Sequence, residues 1–215
     1  FAFYSVMKHM KLESNAYDLG IFTQAMYKFS HLDFSENTVR AIENLWGDHL
    51  HPILVLFSLP LWIYPKAETV VVIQALVVCL GGIPLYLIAR DILKNKVASV
   101  LIVGAYLFFV GIQKAIDFDF HEITLMPTFF FLTFYLMLRK NWKWYFISLV
   151  PLLAVKEDVS ILVVFLGLYL IIFKRKWLVG LATLLIGGFW FYIATAVIIP
   201  KLAAAGFFYF DYSVL

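Results

Sequence analysis

Long apolar runs separated by short polar stretches cover most of the chain, and this pattern predicts a helical membrane protein. An α-helix of about 20 apolar residues is long enough to cross the roughly 30 Å hydrocarbon core of a bilayer. We therefore predict an all-α fold, a polytopic bundle of transmembrane helices. The predicted crossings are residues 70–90, 97–116, 123–138, 144–156, 159–173 and 177–199.

The longest polar stretch, residues 8–52, precedes these runs. Connections longer than about 12 to 15 residues are usually functional or disordered. Aromatic and aliphatic residues recur throughout this one, whereas disordered segments lack them. The stretch therefore predicts an ordered first loop that carries a binding or catalytic platform. The apolar run at residues 51–64 is too short to cross and is broken by prolines, so it predicts an interfacial or re-entrant helix.

Lysine and arginine residues form three clusters beside the apolar runs, at residues 90–96, 139–143 and 174–176. Because Lys and Arg are enriched in cytoplasmic loops, these clusters mark the cytoplasmic ends of the helices. The 8–52 loop and the turns at 117–122 and 156–158 are then all extracytoplasmic. Three tryptophans beside the basic clusters fit the aromatic belt of a membrane interface: Trp142, Trp144 and Trp177.

Composition agrees with the pattern, since 63% of the 215 residues are hydrophobic, 14% are charged and the mean hydropathy is +0.90. Soluble domains are about 45–50% apolar and 25% charged, so the composition indicates an integral membrane protein surrounded by membrane lipids. The net charge of +3 comes from clusters that set topology, and no nucleic-acid partner is predicted. The chain starts with Phe1 and a short apolar segment, which predicts one integral-membrane domain, residues 1–215, cut within its first crossing.

The only cysteine, Cys79, lies in an apolar run. One cysteine supports neither a disulfide framework nor a thiolate metal site. We therefore predict that Cys79 is a buried structural residue.

Asp18 lies among apolar residues in the YDLG segment of the first loop. A partly desolvated carboxylate near cations is suited to act as a general base. Asp is also a common helix N-cap, and in that role it would cap a helix running from Leu19 to about Phe29. The local sequence favours neither role, and both stay open.

A second charged stretch, residues 117–122, contains Asp117, Asp119 and His121. In an extended chain all three side chains share a face, and on a helix Asp117 and His121 do. Carboxylates with one imidazole suit Mg²⁺ or Mn²⁺, so the stretch predicts a divalent-cation site. The alternative is an ordinary charged turn between two crossings.

The tripeptide Lys156, Glu157 and Asp158 separates two apolar runs that are each too short to cross unaided. We therefore predict that it lies below the outer membrane surface, where its charges pair with other groups and bind substrate. A lysine at this depth suits a phosphate as a compact positive charge. A solvated hairpin is the alternative.

His49 and His51 share a face if the chain is extended around Leu50. Two histidines without a third ligand give only a weak indication of zinc. A hydrogen-bonding or substrate-positioning role is therefore favoured over metal binding.

Several of these residues lie in segments that resemble a family of bacterial and archaeal membrane proteins, domain of unknown function 2079. The similarity covers nearly the whole chain, although the family more often has Pro where this chain has Glu122, and its members continue beyond Leu215. The matching segments are YDLGIFTQ (17–24), His49 with Pro52, PLWIYP (60–65), VIQAL (72–76), IPLYLIAR (83–90), FH (120–121) and VKED (155–158).

That family resembles the GT-C superfamily of membrane glycosyltransferases, whose members carry a catalytic acid in the first large extracytoplasmic loop and use lipid-phosphate-linked sugars. The resemblance implies a GT-C-like bundle in a prokaryotic plasma membrane, a polyprenyl-phosphate-linked sugar donor, and Asp18 as the acid. Lys156, with Arg40 or Lys114 as further candidates, would then neutralise the leaving phosphate. The 117–122 cluster would bind a divalent cation or orient the donor.

Two other functional classes fit the same pattern less well. A transporter or flippase would use the charges as an ion or substrate pathway, but such proteins tend to have internal repeats and broken helices near the membrane midplane. No repeat is visible in this sequence, and its charges gather toward one face. A non-catalytic scaffold would not require acids below the membrane surface.

Overall fold

The computed structural model describes residues 1–203 and is built from helices. No β-strand occurs in this range; a single antiparallel bridge joins Asn37 to Ile42. The predicted all-α fold is therefore confirmed. The α-helices are α1 (Ala2–Met10), α2 (Ala16–Ser30), α3 (Ile53–Phe57), α4 (Ala67–Leu80), α5 (Gly82–Leu93), α6 (Lys96–Phe108), α7 (Val110–Asp117), α8 (Met126–Leu138), α9 (Trp142–Leu153), α10 (Val159–Ile172), α11 (Trp177–Ile193) and α12 (Ile199–Leu202).

Two continuous helical stretches within residues 1–203 are long and apolar enough to cross a membrane, Ala67–Leu93 and Trp177–Leu202. The first joins α4 to α5, and the second continues α11 through a π-helical segment, Ala194–Ile198, into α12. The pair α6 and α7 counts as a third crossing if its 43° bend lies within one span. The bundle thus has a polytopic architecture.

Each predicted crossing coincides with a helix, but the bounds differ. The 97–116 run is interrupted at Phe109, which has extended backbone angles, and the 144–156 helix already ends at Leu153. At 1.5 Å per residue the 12 residues of α9 reach only about 18 Å. Helix α9 alone is therefore too short to span a bilayer.

The 8–52 loop is ordered because it contains α2, whose apolar face packs on the bundle. Leu19, Phe22 and Met26 of α2 share one core cluster with Val70 and Val71 of α4. Removing such a side chain from water stabilises a fold by about 1.5–3 kcal/mol. The run at residues 51–64 forms only α3 and a 3₁₀ segment, Leu59–Trp62.

Helices α10 and α11 approach each other closely along a line of glycines. A Cβ on Gly167 would lie 2.6 Å from the amide nitrogen of Leu184, and one on Gly187 would lie 2.9 Å from the carbonyl oxygen of Ser160. Small residues permit such backbone contact between membrane helices. Gly188, by contrast, has open space around its Cβ position.

The prediction that Cys79 is buried is wrong, because its side chain is exposed on α4. An apolar run in a membrane helix has a face that turns to lipid as well as one that turns to the core. Hydrophobic neighbours in the sequence therefore do not show which face a residue occupies.

Candidate functional site

Three polar stretches that are distant in sequence meet at one end of the bundle around a cavity of about 350 Å³. They are the 8–52 loop, the turn before α8 and the turn between α9 and α10. This grouping is the arrangement expected if all three lie on one side of the membrane. The lining residues are Tyr17, Asp18, Ile21, Phe22, Arg40, Leu45, Asp48, His49, His51, His121, Glu122 and Lys156.

Asp18 lies in the first turn of α2, where it is half-buried and lines the cavity. The helix begins at Ala16, three residues before Leu19, and Asn15 occupies the N-cap position. The interpretation of Asp18 as the N-cap is therefore wrong. Within residues 1–203 its carboxylate makes no hydrogen bond or ion pair.

Lys156 and Glu122 form an ion pair across the cavity, with 3.1 Å between Nζ and Oε1. The exposed fraction is 17% for the lysine side chain and 2% for the glutamate side chain. A pair this well shielded interacts much more strongly than one on the surface, but it also carries a large desolvation cost. The pair joins the turn between α9 and α10 to the 3₁₀ segment Glu122–Leu125, which precedes α8.

Glu157, the next residue, points to the first loop and is completely buried. Nδ1 of His49 donates to Oε1 of Glu157 at 2.7 Å, and the backbone amide of Leu50 donates to Oε2 at 2.9 Å. Glu157 therefore holds His49 at the cavity. Asp158, the third member of the tripeptide, is exposed and does not line this cavity.

Arg40 reaches the cavity from the 33–44 segment of the loop. Its Nε lies 3.0 Å from Oδ2 of Asp48, and this hydrogen-bonded carboxylate raises the pKa of the guanidinium above its ordinary value. Asn37, which is buried, fixes the segment by donating to the carbonyl of Ile21 and accepting from the amide of Arg40. The sequence thus anchors this cation to α2 through a buried amide.

Three side chains of the lining have deeply buried polar atoms without a hydrogen-bond partner among the described residues: Nδ1 of His51, Nδ1 of His121 and Oε2 of Glu122. Burial lowers the pKa of His51 below its ordinary value, and this effect outweighs the nearby charge of Glu122. His51 is therefore neutral at pH 7. Buried polar atoms are rarely left unpaired in proteins, and exceptions gather at functional sites.

Asp117 and Asp119 face away from this cavity and are occupied by other groups. Nζ of Lys8 lies 3.7 Å from Asp117 and 3.5 Å from Asp119. The hydroxyl of Tyr4 also donates to Asp117, and the amide of Asn15 to Asp119. These partners take up the carboxylate oxygens.

His121 lies instead against the ring of Phe22, with 5.6 Å between ring centroids. In the part of the chain that the structure describes, no three His, Cys, Asp or Glu residues are grouped to hold a metal ion. The predicted Mg²⁺ or Mn²⁺ ligands Asp117, Asp119 and His121 thus do not converge, and this arrangement does not fit a cation. The two acids tie the end of α1 and the start of α2 to the turn after α7.

A family described as predicted membrane protein (DUF2079) matches residues 8–215. The chain belongs to the DUF2079 family. The match confirms the resemblance found in the sequence and, with the apolar helices, establishes a membrane protein. Comparison with curated proteins gives no match, and comparison with solved structures gives none.

The YDLGIFTQ motif (17–24) of this DUF2079 chain both lines the cavity and positions the segment that carries Arg40. Its first two residues line the cavity, and Gln24 holds the following segment. Oε1 of Gln24 accepts from the amides of Thr38 at 3.0 Å and Val39 at 3.3 Å. A Cβ on Gly20 would meet Val39 at 3.5 Å. The motif therefore builds the wall from which Arg40 projects.

Sequence reasoning missed two residues of the DUF2079 site, Glu122 and Gln74. Oε1 of Gln74, in the middle of α4, accepts from the amide of His121 at 2.8 Å and from the hydroxyl of Thr124 at 3.0 Å. Burying a polar side chain such as that of Gln74 inside an apolar run costs free energy unless it has a hydrogen-bond partner. The position of Gln74 in the sequence could therefore have indicated its role. Glu122 could have been found because it is an acid at the start of a short apolar run, and Lys156 was predicted to lie at a similar depth in the membrane.

Proposed function

We propose that this DUF2079 protein is a glycosyltransferase that moves a sugar from a polyprenyl-phosphate-linked donor to an acceptor at the extracytoplasmic face of a prokaryotic plasma membrane. One observation carries the proposal: Asp18, a carboxylate without a protein partner among the described residues, shares a cavity of about 350 Å³ with Arg40 and Lys156. A base and cations in one chamber are what transfer from a phosphate-linked donor requires.

In the proposed reaction an acceptor hydroxyl attacks the anomeric carbon of the donor sugar. Asp18 takes the hydroxyl proton as the new carbon–oxygen bond forms. The bond between the anomeric carbon and the phosphate oxygen breaks, and its electron pair leaves with the phosphate. A positioned base contributes about 10² to 10⁴-fold to such a step.

The charged residues that line the cavity determine how it would bind the phosphate of the donor. The cavity is lined by two cations, Arg40 and Lys156, and by three carboxylates, those of Asp18, Asp48 and Glu122. Both cations are already paired, so a donor phosphate has to share Lys156 with Glu122 or Arg40 with Asp48. An exchange of partners of this kind keeps both cations in place until the donor arrives.

The two histidines of the lining supply hydrogen-bonding ring nitrogens beside these charges. His51 is neutral at pH 7, and His49 is held by Glu157. Hydroxyl-rich ligands such as sugars need donors and acceptors at fixed positions. We assign His49 and His51 to positioning the sugar.

The test replaces Asp18 with Asn in the full-length protein and measures sugar transfer from a polyprenyl-phosphate donor. Asn keeps the size of the side chain but cannot accept the proton, so we expect transfer to fall by about 10²-fold or more. Asp33→Asn is the matched control, since Asp33 lies in the same loop, is exposed and bonds to the amide of Ser35. Near-normal transfer by Asp18→Asn, with normal insertion, would contradict the role of Asp18 as base.

A transporter is the second candidate, and the 43° bend between α6 and α7 is the observation that favours it. Broken helices line the substrate sites of many transporters. The bend at Phe109, however, does not line the cavity that holds Asp18. Purified protein in vesicles that moves a labelled lipid-linked sugar across the bilayer without transferring the sugar would support transport and contradict the transferase.

A further inference from the structure

A second charged cavity, of about 300 Å³, lies at the opposite end of the bundle. It is formed where α8 and α10 end and α9 begins. Its charged lining consists of Lys140, Lys174 and Lys176, without an acid. Trp142 and Phe173 are part of the remaining wall, which is otherwise aliphatic.

The three lysines differ from the cations of the first cavity because the described residues offer them no carboxylate. Arg40 and Lys156 each have an acidic partner, whereas no ion pair within residues 1–203 involves Lys140, Lys174 or Lys176. Nζ of Lys174 lies only over the ring of Tyr169, 5.4 Å from its centroid.

The acid at the same end of α5 is already occupied. Asp91 pairs with Arg90 at 3.9 Å and with Arg139 at 3.3 Å. The lysine cavity is therefore a concentration of positive charge that the described protein leaves uncompensated, and such a cavity attracts anions.

Aromatic residues place this cavity at the depth of lipid head groups. Trp142 lines it, and Trp144 and Trp177 are exposed on the helix starts beside it. Tryptophan concentrates at membrane interfaces, where an apolar ring body and a polar N–H are both accommodated. Phe173 is 72% exposed next to the lysines, which leaves an apolar surface where an acyl chain would begin.

We propose that this cavity binds the head group of an anionic phospholipid. The lysine ammonium groups donate to the phosphate oxygens, and Phe173 contacts the adjoining acyl chain. Basic pockets between membrane helices at the cytoplasmic face commonly take anionic lipids, and each lysine near the surface adds about five-fold to the affinity. The site is separate from the cavity of Asp18 and does not depend on the function proposed for it.

The test measures binding of phosphatidylglycerol and phosphatidylcholine to the full-length protein in detergent, by native mass spectrometry and thermophoresis. We expect wild type to prefer phosphatidylglycerol, and the triple variant Lys140→Gln, Lys174→Gln, Lys176→Gln to bind it roughly 100-fold more weakly. The matched control is Lys94→Gln with Lys96→Gln, which removes charge from the turn between α5 and α6 outside this cavity, and should change binding by less than about three-fold.

Two further measurements separate the possible outcomes. Replacing the three lysines with Arg retains the charge and should retain binding, which shows that positive charge at these positions carries the affinity. Inorganic phosphate should compete only weakly, because it lacks the acyl contact with Phe173. Equal losses in the triple variant and the control, no preference for phosphatidylglycerol, or full competition by inorganic phosphate would each overturn the proposal.

Discussion

Nζ of Lys156 lies 3.1 Å from Oε1 of Glu122, and this ion pair connects two turns at a point from which water is largely excluded. Removing one member of a shielded pair leaves the other charge buried without compensation. Removing both restores neutrality. The pair therefore allows its structural role to be separated from its proposed part in catalysis.

We expect Lys156→Met to lower the free energy of unfolding by about 3 kcal/mol, because Glu122 is then an unpaired buried charge. The double variant Lys156→Met with Glu122→Gln should regain most of that stability and still fail to transfer sugar. Arg139→Met is the surface control: Arg139 pairs with Asp91 at 3.3 Å but is 60% exposed, so its loss should cost at most about 1 kcal/mol. Normal transfer by the double variant would contradict a role for Lys156 in binding phosphate.

Membrane sidedness can be tested by cysteine labelling. The exposed residues Ser35 and Arg139 are replaced singly by cysteine, in a background where exposed Cys79 is changed to Ser. An impermeant reagent added from outside should label position 35 and not position 139. Labelling of both positions from one side would show that the basic clusters do not mark the cytoplasmic face.

Close contact between α10 and α11 predicts different effects on stability for two Gly→Ala changes. In Gly167→Ala the new Cβ would lie 2.6 Å from the amide nitrogen of Leu184, so α11 has to move, and we expect a loss of about 1–3 kcal/mol. In Gly188→Ala the Cβ meets no atom within 4 Å, and the better helix former should leave stability unchanged or raise it by up to about 1 kcal/mol. Thermal midpoints in detergent that move together would contradict the packing described for this pair.

The buried, neutral state of His51 predicts a dependence of stability on pH. Its pKa in the folded protein is below the ordinary value, so above about pH 6.5 the ring is neutral in both states and contributes no dependence. As the pH falls below about 6.5 the unfolded state takes up the proton first, and stability is lost. Thermal midpoints measured from pH 5 to 8 should therefore fall toward pH 5.

His51→Gln should reduce that fall, since Gln does not titrate. The matched control is His31→Gln, the same change at an exposed position at the end of α2. An unchanged profile in His51→Gln would assign the pH dependence to other groups and contradict this role of His51.

Hydropathy predicted the fold class and the approximate position of the helices, because apolar length is a property of the sequence itself. It did not predict where helices break. The interruption at Phe109 depends on extended backbone angles at one residue within an apolar run. Helix α9 ends at Leu153, and beyond it Lys156 and Glu157 contact partners in other segments of the chain.

The site was predicted in part, for a similar reason. The sequence identified the polar stretches that converge, because burying charged residues in a membrane costs free energy and such residues usually have a function. It did not identify which charges face each other: Asp117 and Asp119 turn to Lys8, and Glu122 turns to Lys156. Such pairings depend on side-chain direction between segments that lie far apart along the chain.

The contacts of Glu157 have a consequence for how the protein loses its structure. Both carboxylate oxygens are held by the first loop, through the ring of His49 and the amide of Leu50. The neighbouring Lys156 pairs with Glu122, just before α8. The loop cannot detach without breaking both of these hydrogen bonds to a completely buried carboxyl group. Amide protons of α2 should therefore exchange with solvent as slowly as those of α10, in one cooperative opening event, even though α2 belongs to a loop and α10 to the bundle.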